Sequence, residues 1–97
     1  MNREKLSAEE IAFKLSGINT WVLDEEAPVI KKRYTFENFS DALDFVNKAG
    51  KIADEMDHHP DIHLGWGYAE FEITTHDRGG LTEFDFALAD KIEELAK

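Results

Sequence analysis

Cysteine is absent from this sequence of 97 residues. Its absence excludes a disulfide framework, a thiolate metal site, an iron–sulfur cluster and a thiol nucleophile, and it leaves histidine and carboxylate side chains as the candidates for chemistry. Long apolar runs are also missing, because the charged N-terminal residues are followed by no apolar stretch of about seven residues or more. We therefore expect neither a signal peptide nor a membrane-spanning segment, and we expect a soluble, cytoplasmic protein.

Basic residues are few compared with acidic ones. Lysine and arginine number 11, whereas aspartate and glutamate number 21, so the formal net charge is -10. Such a surface repels phosphate backbones and anionic lipid headgroups, so we expect neither a nucleic-acid partner nor a membrane partner. Apolar residues still make up 42% of the chain, which is enough for a core. Length and composition together predict a single globular domain over residues 1–97.

Proline is scarce as well, and both prolines mark breaks between patterned segments. Before the first of them, residues 7–10 fit a capping box that opens a short helix. Residues 21–23 and 29–36 form a pattern typical of two strands on either side of an acidic turn, and Lys32 is the charged exception on the apolar face of the second strand. The first third of the chain therefore predicts a helix followed by a β-hairpin.

The strongest helical pattern follows Ser40, which we expect to be the N-cap residue. Apolar residues recur there at helical spacing: Ala42, Phe45, Val46, Ala49, Ile52, Ala53 and Met56. The helix should end near His58, because the residue before Pro60 is pushed into an extended conformation. Residues 62–64 and 68–75 then predict two more strands around a glycine-rich turn.

The final segment begins after Gly79 and Gly80, which break the last strand. Thr82 and Asp85 fit a second capping box. The apolar face of the helix that follows comprises Phe84, Leu88, Ile92 and Leu95. The complete order is αββαββα, which predicts an α+β fold: a four-stranded antiparallel sheet with two long helices packed on one face. Unpaired sheet edges and helix faces lead us to expect an oligomer.

All four histidines lie within one short stretch of the sequence. His58 and His59 follow the long helix, where the helix dipole favours the imidazolium form and hence proton donation. A solvated helix end is the alternative interpretation of this pair. His76 lies at the end of the last strand, before the loop that leads to Asp85. We expect Asp85 to be partly covered and paired with an imidazole or to complete the capping box, and both roles can hold.

Other residues near the histidines carry weaker indications. Asp54 and Asp57 either orient an imidazole or solvate the end of the helix. A metal site is disfavoured, since helical zinc sites use histidines at positions i and i+4, whereas adjacent histidines cannot easily face one ion. We expect His63 to be a surface residue. Trp21 and Trp66 should pack in the core or in turns, although either indole could flank a flat heterocycle.

Motifs spread along the chain resemble those of the pterin-4a-carbinolamine dehydratases. The matching residues are 6–10, Trp21, 39–45, 57–60, 74–77, 80–82, Asp85, 88–89 and Ile92. The similarity covers nearly the whole chain and implies an αββαββα fold, assembly into a homodimer or homotetramer, and a pterin pocket around three histidines. Members of that family remove water from 4a-hydroxytetrahydropterin, the product of aromatic amino acid hydroxylases. They yield quinonoid dihydropterin without a metal or an organic cofactor.

The resemblance also implies roles for individual residues. His58 and His76 would be the proton-transfer pair, and His59 would hold and polarise the pterin. Such proton exchange suits side chains that titrate near neutral pH. Asp85 would orient a histidine, as we also expect of Asp54 from its place beside the histidine pair. The rest of the substrate site would comprise Asp57, Pro60, Thr74, Thr75, Asp77 and Trp21.

Two departures from the family pattern and one alternative function accompany the resemblance. Phe84 stands where relatives often carry a basic or polar residue, and Trp66 with Gly67 replaces an aromatic residue followed by asparagine. Some relatives act instead as assembly factors or as coactivators of a homeodomain transcription activator, and apolar area at Phe84 and Phe86 would suit such protein binding. The three histidines favour the enzyme, because protein binding alone does not require them.

Overall fold

The chain folds into helices and one sheet in the order that the sequence predicts. The computed structural model describes residues 1–97 and contains α1 (Ala8–Ser16), β1 (Val22–Asp24), β2 (Val29–Thr35), α2 (Phe39–Met56), β3 (Asp61–Gly65), β4 (Tyr68–Ile73), a 3₁₀ turn (His76–Arg78) and α3 (Glu83–Ala96). The four strands pair antiparallel in the order β1-β2-β4-β3. The predicted α+β class and αββαββα order are confirmed. None of these helices combines the length and the apolarity that a membrane span needs.

Side-chain caps fix where the helices begin. Ser7 Oγ accepts from the Glu10 amide at 3.2 Å, and Glu10 Oε1 accepts from the Ser7 amide at 2.9 Å, which is the predicted capping box. The prediction for α2 is wrong, because Asn38 rather than Ser40 is the N-cap. The Asn38 Oδ1 atom accepts from the Asp41 amide at 2.8 Å. Asparagine caps as well as serine does, so the helix takes in Ser40 within its first turn.

The core lies between one face of the sheet and the two long helices. The inward side chains of the central strands pack there against α2 and α3. The fully buried strand residues are Ile30, Ala69, Phe71 and Ile73, and the fully buried helix residues in this cluster include Ala49, Leu88, Ala89 and Ile92. Along β4, buried and half-buried residues alternate, as a sheet with one covered face requires. This packing holds the end of α2, the end of β4 and the start of α3 together at one side of the molecule.

The charged residue on the inner face of β2, Lys32, has its partner on α3. Glu93 Oε1 accepts hydrogen bonds from Lys32 Nζ, from the Tyr34 hydroxyl and, at 3.0 Å, from Trp21 Nε1. Burial alone would raise the pKa of Glu93, but these hydrogen bonds and the lysine charge outweigh it and lower the pKa. Burial, followed by the hydrogen bond to Glu93, raises the pKa of Tyr34. The cluster ties α3 to the sheet and explains the exception in the apolar pattern.

Candidate active site

A cavity of about 440 Å³ lies between the residues that follow α2, the residues that follow β4 and the N-terminal segment. The last strand ends at Ile73, so His76 lies in the 3₁₀ turn rather than at the end of the strand. Eight residues line the cavity, and all of them are polar: Arg3, Asp57, His58, His59, Thr74, Thr75, His76 and Asp77. All except the arginine are residues that the sequence analysis predicts for the site. The fold therefore brings three histidines, from two separate stretches of the chain, to one opening.

The position of the histidine pair follows from how α2 ends. Asp57 adopts a left-handed conformation, with φ 51° and ψ 44°, directly after the helix. Its amide donates to the Asp54 carbonyl at 3.2 Å. The His58 amide donates to the Ala53 carbonyl at 3.1 Å, and the two bonds form a Schellman motif. After this turn His58 lies inside the protein, whereas His59 lies on the surface.

His58 and Asp85 form a buried pair. Asp85 is fully buried, His58 is 6% exposed, and His58 Nε2 lies 2.6 Å from Asp85 Oδ1. The second carboxylate oxygen of Asp85 accepts from Thr75 Oγ1 and from the Thr82 amide, each at 2.8 Å. Asp85 therefore contacts an imidazole and caps α3 at once, and it is completely rather than partly covered.

Arg3 lies against the other nitrogen of the same imidazole. Its Nη1 is 3.0 Å from His58 Nδ1, and its Nη2 donates to the Asp57 carbonyl at 3.0 Å. The guanidinium carbon lies 4.0 Å from the centre of the Phe84 ring. Phe84 thus supports a cation at the cavity, although it carries no charge itself. Sequence analysis misses Arg3, because no local pattern links it with a residue 55 positions away.

His59 and His76 lie at the rim of the cavity, with side chains that are 56% and 76% exposed. His59 Nε2 is 2.9 Å from Asp54 Oδ1. Asp54 therefore contacts one of the two histidines beside which the sequence places it. His76 Nε2 is 3.9 Å from Asp61 Oδ2, which is beyond hydrogen-bond distance. Both exposed imidazoles can exchange protons directly with water.

Two residues predicted for the substrate site lie outside the cavity. Trp21 is buried in the core, where its ring packs edge-on against Tyr34 and its Nε1 donates to Glu93. Its indole is therefore not free to flank a ring that is bound among the histidines. Pro60 lines a neighbouring groove together with His59. The core position confirms the first expectation for Trp21, whereas the partner of its N–H group could not be predicted, because Glu93 comes from a distant helix.

Burial decides three other expectations. His63 is exposed beside an acidic residue of β4, so it is a surface residue as predicted. Phe86 is buried and Phe84 lies beneath the guanidinium of the cavity, so the apolar area expected for a protein partner is not available there. Trp66 lies in the turn between β3 and β4, which is one of the two places expected for it, but its side chain is exposed rather than packed.

Sequence relatives of the chain share one family. Residues 4–95 match the family model described as pterin 4 alpha carbinolamine dehydratase. A protein of Methylococcus capsulatus, named as a candidate pterin-4-alpha-carbinolamine dehydratase, is 45% identical over 91 residues, which cover 94% of this chain and 80% of the relative. A protein of Halorhodospira halophila with the same name is 53% identical over 81 residues, which cover 84% of this chain and 74% of the relative.

Solved structures share the architecture. The crystal structure of a transcriptional coactivator/pterin dehydratase from Brucella melitensis gives a TM-score of 0.91 at 26% identity and covers 97% of this chain and 100% of that chain. A pterin dehydratase-like protein identified as a RuBisCO assembly factor in the alpha-carboxysome gives a TM-score of 0.69 at 23% identity, over 79% of this chain and 89% of that chain, which shows similarity of fold alone. The family model and the sequence relatives together show that the chain belongs to the pterin-4-alpha-carbinolamine dehydratase family.

Proposed function

We propose that this protein dehydrates 4a-hydroxytetrahydropterin to quinonoid dihydropterin and water in the cytoplasm, as a step of tetrahydropterin recycling. The observation that carries the proposal is the polar cavity, where the imidazoles of His58, His59 and His76 meet. The chain belongs to a family described by this reaction. The cavity volume of about 440 Å³ lies within the usual range of small-molecule sites and suits a bicyclic ring.

The reaction needs an acid and a base, and imidazoles can serve as both. The bond between carbon 4a and oxygen breaks as an acid protonates the departing hydroxide, so that water leaves. A base takes the proton from the adjacent ring nitrogen, and the electron pair of that N–H bond forms the new carbon–nitrogen double bond. We assign proton transfer to His58 and His76, and contact with the pterin to His59, because imidazoles titrate near neutral pH. Atoms and electrons balance without a metal or an organic cofactor.

Other polar groups would hold the ring and orient the histidines. The remaining predicted residues at the cavity are Asp57, Thr74, Thr75 and Asp77. Their carboxylate and backbone oxygens could accept hydrogen bonds from the amino and ring N–H groups of a pterin. Asp85 would keep the His58 ring in one orientation through its contact at 2.6 Å. Asp54 would do the same for His59 from the surface.

A direct assay with chemically prepared carbinolamine tests the proposal. We expect H58A or H76A to lower turnover by about 10²- to 10⁴-fold, the usual contribution of a positioned acid or base. His63 provides a matched control, because it lies in the same stretch of sequence but outside the cavity, and H63A should keep wild-type turnover. His76 is exposed, so H76A tests the reaction even if the loss of buried His58 weakens the fold. Unchanged turnover in both variants would contradict the assignment.

A second candidate function is protein binding without catalysis, as an assembly factor or a transcriptional coactivator. The observation in its favour is that the Brucella melitensis structure, at 26% identity, is named a transcriptional coactivator as well as a pterin dehydratase. Dehydration no faster than in buffer, together with a specific partner that co-purifies with the chain, would favour this function over the enzyme.

We further propose that the chain forms a homodimer or a homotetramer. β1 and β3 are edge strands, each with one unpaired side, and Phe39 and Leu43 expose apolar area one turn apart on α2. Both features favour association with a second copy of the chain. Light scattering after size-exclusion chromatography gives the stoichiometry, and a monomer at micromolar concentration would contradict this part of the proposal.

A further inference from the structure

The residues before α1 form a strap (residues 2–6) that runs beside the cavity. The Leu6 amide donates to the Leu81 carbonyl at 2.8 Å. The aliphatic stem of Lys5 covers Gly80 so closely that a Cβ at that glycine would come within 2.7 Å of Lys5 Cε. These contacts fix the path of the strap along the residues that precede α3, and they bring its arginine to the cavity.

The contacts of Arg3 determine where the ring proton of His58 lies. A guanidinium group carries N–H donors and no acceptor, so the 3.0 Å contact between Arg3 Nη1 and His58 Nδ1 requires Nδ1 to accept with its lone pair. The ring proton is then on Nε2, which donates to Asp85 Oδ1 at 2.6 Å. This geometry gives the His58 ring a single proton, unlike the imidazolium form that the helix dipole alone would favour, and the proton-accepting atom is the nitrogen on the opposite side from the buried carboxylate.

Two charged groups contact the two nitrogens of the His58 ring. The Asp85 carboxylate accepts the proton on Nε2, whereas the Arg3 guanidinium occupies the place that a second ring proton on Nδ1 would need. The other titratable groups around the cavity are exposed to water at its rim: Asp57, His59, His76 and Asp77. Arg3 is therefore the cation in direct contact with the ring, and its loss should change the protonation state of His58.

We propose that Arg3 is a positioning residue that keeps His58 neutral, so that the Nδ1 atom of His58 can accept a proton from a molecule bound in the cavity. The chemical consequence rests on the proposed dehydration: His58 is the base that removes the proton from the ring nitrogen, and His76 is the acid that protonates the hydroxide. The substrate N–H group takes the place of Arg3 Nη1 at Nδ1. The contacts of Arg3 with the Asp57 carbonyl and the Phe84 ring hold the guanidinium beside His58 until the substrate displaces it.

The ring-nitrogen NMR signals of protein labelled with ¹⁵N-histidine test the proposal without any substrate. In the wild-type protein we expect the His58 ring to carry its single proton on Nε2 at neutral pH. Arg3→Gln should produce a doubly protonated His58 ring under the same conditions, and Arg3→Lys should restore most of the wild-type signal. Lys5→Gln is the matched control, since it removes the same charge from the same strap without touching His58, and it should match the wild-type spectrum.

Turnover provides the second measurement. Arg3→Gln should lower kcat about 10-fold near neutral pH with little change in KM, and the deficit should shrink as the pH rises, because His58 is neutral in both proteins at high pH. A wild-type protein that dehydrates no carbinolamine, with the NMR result as expected, would overturn the proposed function and leave the role of Arg3 intact. An active wild-type protein, with the same spectrum and pH profile in Arg3→Gln, would overturn the inference about Arg3.

Discussion

Replacing Asp85 with asparagine would exchange one oxygen for an amide nitrogen inside the protein and leave the volume of the side chain almost unchanged. The carboxylate accepts three hydrogen bonds, from His58 Nε2 at 2.6 Å and from Thr75 Oγ1 and the Thr82 amide at 2.8 Å. The asparagine side chain of Asp85→Asn has two possible orientations. In one, its NH₂ group faces the Thr82 amide, and two hydrogen-bond donors meet. In the other, its NH₂ group faces the ring N–H group of His58, and again two donors meet. Neither orientation satisfies all three donors.

The expected loss of stability follows from these contacts. A hydrogen bond to a charged group contributes about 1.5 to 3 kcal/mol, and a buried donor left without a partner costs about 1 to 3 kcal/mol. Together they predict a free energy of unfolding that is about 2.5 to 6 kcal/mol lower in Asp85→Asn. Because small domains have a total stability of about 5 to 15 kcal/mol, the variant should unfold at a much lower denaturant concentration.

Urea unfolding at neutral pH and fixed protein concentration measures this loss, provided that the midpoint and the slope are both determined. Asp90→Asn is the matched control, because Asp90 is exposed on the same helix, and its effect should stay within about 0.5 kcal/mol. The penalty should be smaller when Arg3→Gln is also present, since His58 can then move its proton to Nδ1 and accept from the new amide at Nε2. A loss below about 1 kcal/mol in the single variant would refute the reasoning.

Two further predictions concern stability away from the buried pair. Asp57→Gly should raise the free energy of unfolding by about 0.5 to 1 kcal/mol, because glycine adopts the left-handed φ of 51° without strain; a lower thermal midpoint would show instead that the aspartate side chain stabilises the turn. The pKa of Glu93 is lowered in the folded protein, so ionised Glu93 stabilises the fold at pH values above the ordinary pKa of a glutamate. This stabilisation is lost as the pH falls through the pKa of Glu93 in the folded protein. Urea unfolding from about pH 7 to 3 should therefore show a weaker acid dependence for Glu93→Gln than for wild type or the exposed control Glu94→Gln, and equal profiles would contradict this.

Local patterns predict most of the fold, because each element carries its own periodicity or cap. The capping boxes at Ser7 and Thr82 and the apolar stripe of α2 are each contained within one helix, and all three are found in the structure. The start of α2 is different. Asn38 and Ser40 are both good caps and lie two positions apart, so local preference cannot choose between them.

Residues of the candidate site also differ in whether local sequence can predict their positions. The histidines and the residues next to them in sequence can be predicted, since the turn after α2 and the end of β4 are local features. The polar contacts of Arg3 and Trp21 cannot be predicted in this way, because their partners lie 55 and 72 positions away. Those contacts exist only once the strap has crossed the start of α3 and once α3 has packed on the sheet.

The double duty of Asp85 bears on how a loss of activity could be recognised among dehydratase-like proteins. On the proposed mechanism, a relative that had lost the activity would still use this carboxylate to cap the start of α3. His59 and His76, in contrast, are mostly exposed and contribute little to folding. They could therefore be replaced without loss of stability once the reaction was no longer required. Retention of the two solvent-facing imidazoles is therefore a better indicator of a working dehydratase than retention of the aspartate behind them.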